Sequence, residues 1–168
     1  MADYKKVSRE QIATYLDTTP DSSRTWSILG VGITDYGQDM NPQTTTEKWI
    51  INKNATTTLD SFQIQADASQ TCYYGDEVYD FVNNLRRTAG VGSKVVSHVL
   101  DIDLYDSTGS GSGTTYSATE YECAVIVRSY AKGETPKIEY TIHYNGDPKI
   151  GTVTITDGVP TFTENVSL

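Results

Sequence analysis

A chain of 168 residues with 22 acidic and 13 basic side chains carries a formal charge of −9, and its length suits one domain that buries about two-thirds of its unfolded surface. Tight nucleic-acid binding works by neutralising phosphates, so an acidic chain without a run of Lys or Arg is excluded as a nucleic-acid clamp, though not as a surface that DNA merely passes. No apolar stretch reaches the roughly 18 residues of a membrane span and the start has no signal-peptide core, so a soluble protein with no membrane anchoring, made in the cytosol, is expected.

Residues 1–24 read as an N-terminal arm with a short helix. Ser8 and Gln11 form a capping box, Val7 and Ile12 sit at the staple positions, and Tyr15 and Leu16 extend the apolar face until a polar linker ends it. The domain proper then runs over 25–168. A strand is expected over 25–33, with Gly30 and Gly32 marking a bulge or a close backbone approach. The polar segment 34–46 exceeds most hairpin loops in length and reads as a long loop. Strands follow over 47–53 and 56–66, the second with Leu59, Phe62, Ile64 and Ala66 as its apolar members.

A helix is expected at about 76–87. Val78, Phe81, Val82 and Leu85 fall at i, i+3, i+4 and i+7 and make its core face. Asp76 can cap the first amides, Glu77 and Asp80 sit at the positive end of the dipole, and Arg86 and Arg87 sit at the negative end. Gly90 offers a left-handed stop.

After the helix, 95–105 alternates, with Val96, His98, Leu100, Ile102 and Leu104 on one face and Ser97, Asp101 and Asp103 on the other. The Ser/Gly stretch 107–115 reads as a flexible loop. Within the strand 116–130, Cys123-Ala124-Val125-Ile126-Val127 is apolar at every position, which requires cover on both faces. Residues 138–144 alternate cleanly. A hairpin closes the chain, 151–156 and 159–163 around Asp157-Gly158, and Pro160 marks its last strand as an edge. The fold class is mainly β: an antiparallel β-sandwich or open barrel flanked by one α-helix.

Catalytic signals are absent. Gly30-Val31-Gly32 and Gly90-Val91-Gly92 do not continue into a dinucleotide motif, and there is no phosphate-binding loop or nucleophile elbow. Asp101-Ile102-Asp103 projects two carboxylates from one strand face, a spacing open to an inverting glycosidase or a divalent ion, but reads first as a solvated sheet face. His98 and His143 are expected to be structural, and Cys72 and Cys123 to be unpaired thiols. Neither an enzyme nor a cofactor or metal site is expected.

The order of Trp26-Ser27-Ile28-Leu29-Gly30-Val31-Gly32-Ile33-Thr34, Asn41-Pro42-Gln43-Thr44, Glu47-Lys48-Trp49-Ile50, Tyr74-Gly75-Asp76-Glu77-Val78-Tyr79-Asp80-Phe81 and the closing Gly151-Thr152-Val153-Thr154 hairpin resembles the tail tube proteins, the major tail proteins of long-tailed bacteriophages. The resemblance spans 26–162. It implies a β-sandwich flanked by a helix, six copies to a ring, and rings stacked into a tube through which DNA passes without specific binding. It further implies tape measure, tail terminator and distal tail proteins as partners, assembly in the host cytoplasm and a place in the virion tail. The 34–46 loop, with Asp35, Tyr36, Gln38, Asp39, Asn41 and Gln43, is then expected to contact the adjacent ring. Glu47, Asp101, Asp103 and Glu139 are expected to face the lumen, where an acidic wall repels phosphates over about 8 Å. The inner tube of a contractile tail or bacteriocin has the same physics. The alternative from another class is a carbohydrate-binding or adhesive β-sandwich using Trp26, Trp49, Tyr73 and Tyr74.

Overall fold

The computed structural model describes residues 4–165. Among these, ten strands and one α-helix follow in order: β1 (Ile12–Asp17), β2 (Trp26–Ile28), β3 (Gln38–Asp39), β4 (Pro42–Glu47), β5 (Thr56–Phe62), β6 (Gln65–Thr71), α1 (Glu77–Thr88), β7 (Val96–Thr108), β8 (Thr115–Ala131), β9 (Lys137–Thr156) and β10 (Val159–Glu164). Eight strands form one antiparallel sheet in the order β2-β1-β7-β8-β9-β6-β3, with β10 on the free flank of the second half of β9. The remaining two, β4 and β5, pair only with each other. The mainly-β class with one flanking helix is therefore the fold of this chain.

Two long strands, β8 and β9, carry the sheet through a bend. Opposite the step from Glu120 to Glu122 in β8, β9 runs from Asn145 to Lys149, so its extra residues bulge out of register. Gly146 takes a positive φ of 66° there, and Pro148 has no N–H to offer a neighbour. The bend divides the sheet's apolar side chains into two cores. One gathers Leu16, Val99, Cys123, Val125, Ile138, Tyr140, Ile142 and Tyr144 beneath α1. The other gathers Ala13, Tyr15, Leu100, Ile102, Ala118 and Val153 on the opposite side of β1 and β7.

Helix α1 closes the first core. Its buried residues are Val78, Tyr79, Val82 and Leu85. Phe81, expected on that face, is only half-buried at its margin, and Tyr79 fills the position instead. The Asp76 carboxylate caps the helix by accepting from the Tyr79 amide at 2.9 Å. The left-handed stop falls at Ala89 (φ 47°), one residue before the expected Gly90, whose N–H bonds the Leu85 carbonyl at 3.1 Å.

Three expectations are corrected. The capping box at Ser8 and Gln11 exists, but the turn it starts spans only Arg9–Gln11 before the chain extends into β1. Tyr15 and Leu16 are strand neighbours facing opposite cores, so 12–17 belongs to the sheet, and the helix expected within 1–24 is not formed among the described residues. The 25–33 strand stops at Ile28 and turns through Gly30 and Gly32. A Cβ on Gly32 would lie 2.5 Å from the Thr71 carbonyl, which is the close approach that requires glycine. Finally, the expected 47–53 strand ends at Glu47 and 48–55 is the tip of the β4–β5 hairpin, while the expected loop 34–46 holds β3, paired with β6, and all of the hairpin's incoming limb β4 except Glu47.

The carboxyl end matches its reading. Asp157 (φ 51°) and Gly158 (φ 80°) make a two-residue turn, and β10 pairs only with β9. Gly151 lets β10 come close, since a Cβ there would stand 2.2 Å from the Thr163 carbonyl. The Ser/Gly stretch is the exposed crest of the β7–β8 hairpin.

Candidate assembly surfaces

The β4–β5 hairpin stands apart from both cores. Its ladder runs from Pro42↔Phe62 to Glu47↔Thr56 with a register shift at Gln43/Thr44, and every residue of β5 is exposed. Each strand carries a run of three threonines, Thr44-Thr45-Thr46 and Thr56-Thr57-Thr58, with the Thr46 and Thr57 hydroxyls bonded across the ladder at 3.0 Å and the Thr45 hydroxyl donating to Asp60. The Gln63 amide bonds the Asn41 carbonyl at 3.2 Å across its foot, and the next residue, Ile64, accepts from the Tyr144 amide of β9 at 2.9 Å. At its tip Trp49 is 64% exposed, Ile51 82% exposed, and Ile50 fully exposed. A lone two-stranded hairpin is at best marginal in water, and three large apolar side chains at its end add an unfavourable exposed surface. The strand expected over 47–53 is therefore replaced by an exposed tip, with Trp49 at the surface as the carbohydrate-binding alternative requires.

Segment 33–39 is a strap laid over the sheet. Ile33 bridges to Gln70, and Gln38 and Asp39 pair with Ala66 and Gln65 as β3. The Tyr36 and Tyr144 hydroxyls share a hydrogen bond of 2.9 Å. The Gln38 side-chain amide donates to the Asp101 carboxylate at 2.6 Å, and the Thr14 hydroxyl donates to its other oxygen at 2.7 Å. Of the six residues expected to reach a neighbouring ring, Tyr36 and Gln38 are thus engaged with their own sheet. Asp39 accepts from the Asn41 amide at 3.0 Å, and the Gln43 side chain donates to the Asn41 carbonyl at 3.1 Å, which shapes the turn into the hairpin. Asp35 is exposed at the strap's edge.

Covering by the strap changes Asp101. Burial, opposed by the hydrogen bonds from Thr14, Tyr144 and Gln38 and reinforced by Asp103, pushes its carboxyl up to about 6. The unfolded value is about 3.9. Between about pH 4 and pH 6 the folded chain holds a proton that the unfolded chain gives up, so this group's contribution is complete below pH 4 and is lost as pH rises through 6. Asp101→Asn is expected to remove that slope and to exceed the wild type at pH 7 by on the order of 1–2 kcal/mol. Urea midpoints at pH 4, 5, 6 and 7 check it: the gap between the two proteins should widen with pH, and a constant gap contradicts it.

The four carboxylates expected to line a lumen do not share a surface. Asp101 and its half-buried neighbour Asp103 lie on the α1 side of the sheet. Glu139 alternates with Ile138 and Tyr140 of the first core and so faces the other way, where it accepts from the Ser129 hydroxyl at 2.9 Å. Glu47 is on the hairpin. Asp101 does face away from Leu100 and Ile102, as the alternation requires; Gln38, which covers it, lies 63 residues upstream.

Two further concavities are built from side chains. An apolar groove of about 530 Å³ lies between the end of α1 and β8, floored by Leu85, Val95, Val125, Val127 and Tyr130 and rimmed by Val91, Arg86 and Arg128. The Arg86 guanidinium stacks on Tyr130 at 4.1 Å. At the sheet bend a smaller cleft of about 210 Å³ holds His98, Glu120, Glu122, Asp147 and Lys149. Burial, then the Arg24 charge, lowers the His98 pKa. Arg24 is itself held by Glu120 at 2.8 Å and Asp17 at 3.6 Å. Among the described residues no group of three or more His, Cys, Asp and Glu is placed to hold a metal ion, and no helix is long and apolar enough to cross a membrane. Cys123 is buried in the first core and Cys72 half-buried; both are free thiols. Compared with models of known protein families and with curated proteins, the chain matches none.

Proposed function

We propose that this chain is a structural protein that builds a tube from copies of itself, six to a ring with rings stacked, in the manner of the major tail proteins of long-tailed phages. The observation that carries the reading is the β4–β5 hairpin: a limb with no partner in its own domain, ending in exposed Trp49, Ile50 and Ile51. A limb of that kind is stabilised by a neighbour, and contacts repeated between identical copies give rings and filaments. The ring and tube geometry rests on the order of residue motifs along the chain. The charge of −9 per copy suits a channel along which a polyanion slides instead of sticking. On this reading the chain has no catalytic residue, and its place is the virion tail, built in the host cytoplasm.

Electron microscopy of the concentrated protein tests the proposal. Hollow tubes about 100 Å wide are expected, the size of six such domains around a channel. Replacing residues 48–55 with Asn-Gly, which closes the ladder with a two-residue turn, should leave the thermal midpoint unchanged and abolish the tubes. A wild-type chain that stays monomeric at millimolar concentration refutes the reading.

A further inference from the structure

The chain displays two unpartnered surfaces of opposite shape, the apolar hairpin tip and the apolar groove beside α1. The groove exists because β7 begins at Val96, paired with Ala124, while β8 runs on to Ala131. Beyond Ala124 the side of β8 away from β9 has no strand partner among the described residues, so backbone hydrogen-bonding groups and apolar side chains are offered together. An open strand edge beside an apolar trough is the arrangement that accepts an added extended segment. Val91 is 77% exposed at the rim, and Ile126 is half-exposed on the same stretch of β8.

Charge discriminates among occupants. The chain is acidic overall, yet Arg86, Arg87, Lys94, Arg128, Lys132 and Lys137 all belong to the last turn of α1, the turn after it, and the end of the β8–β9 hairpin. Arg86 and Arg128 line the groove itself; Arg128 is paired with Asp67 at 3.6 Å, while Arg86 lies against Tyr130 and is the cation the groove offers. On the β4–β5 hairpin, Glu47 and Asp60 line a single face together with Trp49, and the tip's own cations Lys48 and Lys53 are not on that face. Asp60 already accepts from Thr45, which leaves Glu47 as the carboxylate free to pair.

We propose that the hairpin tip of one copy seats Trp49, Ile50 and Ile51 in the groove between α1 and β8 of a second copy, with Glu47 opposite Arg86. The inference rests on the self-assembly reading and adds the receptor surface for the hairpin. Burying the three tip side chains supplies the attraction, and Arg86 fixes which way the tip enters.

Cross-linking tests it in the full chain carrying Cys72→Ser. The double variant Ile50→Cys with Val91→Cys should give a ladder of disulfide-linked multimers on mild oxidation, while Ile50→Cys paired with the remote, exposed Ile150→Cys should not. Ile50→Asp and Val91→Asp alter exposed residues, so each should keep the wild-type thermal midpoint while raising the onset concentration for assembly by about tenfold or more. Assembly that proceeds normally in Val91→Asp, without the Ile50–Val91 ladder, removes the groove as receptor and leaves self-assembly standing. A fast-migrating, internally linked monomer in place of the ladder also overturns it. A wild type that never assembles removes both readings.

Discussion

Val82→Asp is expected to leave no folded protein. Val82 is fully buried at the centre of α1, among the side chains that β6, β8 and β9 contribute to the first core. The substitution forfeits roughly 1.5–3 kcal/mol of apolar burial and places an unpaired carboxylate where no cation can reach it, costing several kcal/mol more. A domain of this size has about 5–15 kcal/mol in hand, so the sum takes most or all of it. Circular dichroism should show loss of the cooperative thermal transition. Asp80→Ala, on the exposed face of the same helix, is the control and should stay within about 0.5 kcal/mol of the wild type. A Val82→Asp protein that melts cooperatively near the wild-type temperature would mean that α1 is not docked on the sheet.

The second large effect belongs to a polar residue. Gln70 is fully buried in β6 and reaches three separate parts of the chain. Its side-chain oxygen accepts from the Tyr140 hydroxyl at 3.0 Å, and its amide donates to the Val31 carbonyl and to the Asp76 carboxylate, both at 2.9 Å. Asp76 is also the cap of α1, so Gln70 links β9, the turn before the strap and the start of the helix. Gln70→Ala leaves the buried Tyr140 hydroxyl without its partner, at about 1–3 kcal/mol, removes the bonds that tie Val31 and Asp76 to β6, and opens a void at a fully buried position. A loss of about 3–5 kcal/mol is expected, read as a fall in thermal midpoint of about 10 °C or more. A fall of only one or two degrees would mean that water replaces the amide at no cost.

The parts of the fold legible in the sequence are those where one local pattern decides the structure. Helix α1 follows from four apolar residues at helical spacing between an acidic cap and two arginines. The closing hairpin follows from Asp157-Gly158. Strand β1 was misread because it is buried on both faces: Tyr15 and Leu16 satisfy a helical spacing as well as a strand flanked by two cores, and the Ser8–Gln11 box is sound chemistry for a turn that then stops. Asp101 was placed on the correct face, but Tyr36 and Gln38, which cover it, meet it only through the fold. The hairpin tip was misread for the opposite reason. Trp49, Ile50 and Ile51 have strong strand propensity, and propensity alone does not distinguish a buried strand from a surface kept apolar for another molecule. The groove could not have been read at all, since it arises from the difference in length between β7 and β8.

The passage of β8 and β9 through both cores has a mechanical consequence. Neither half can be drawn away from the other without sliding these two strands along their shared ladder, whose cross-bonds lie perpendicular to the strands. Tension along that axis therefore loads many bonds at once in shear instead of opening them one by one, and the subunit resists stretching most in that direction.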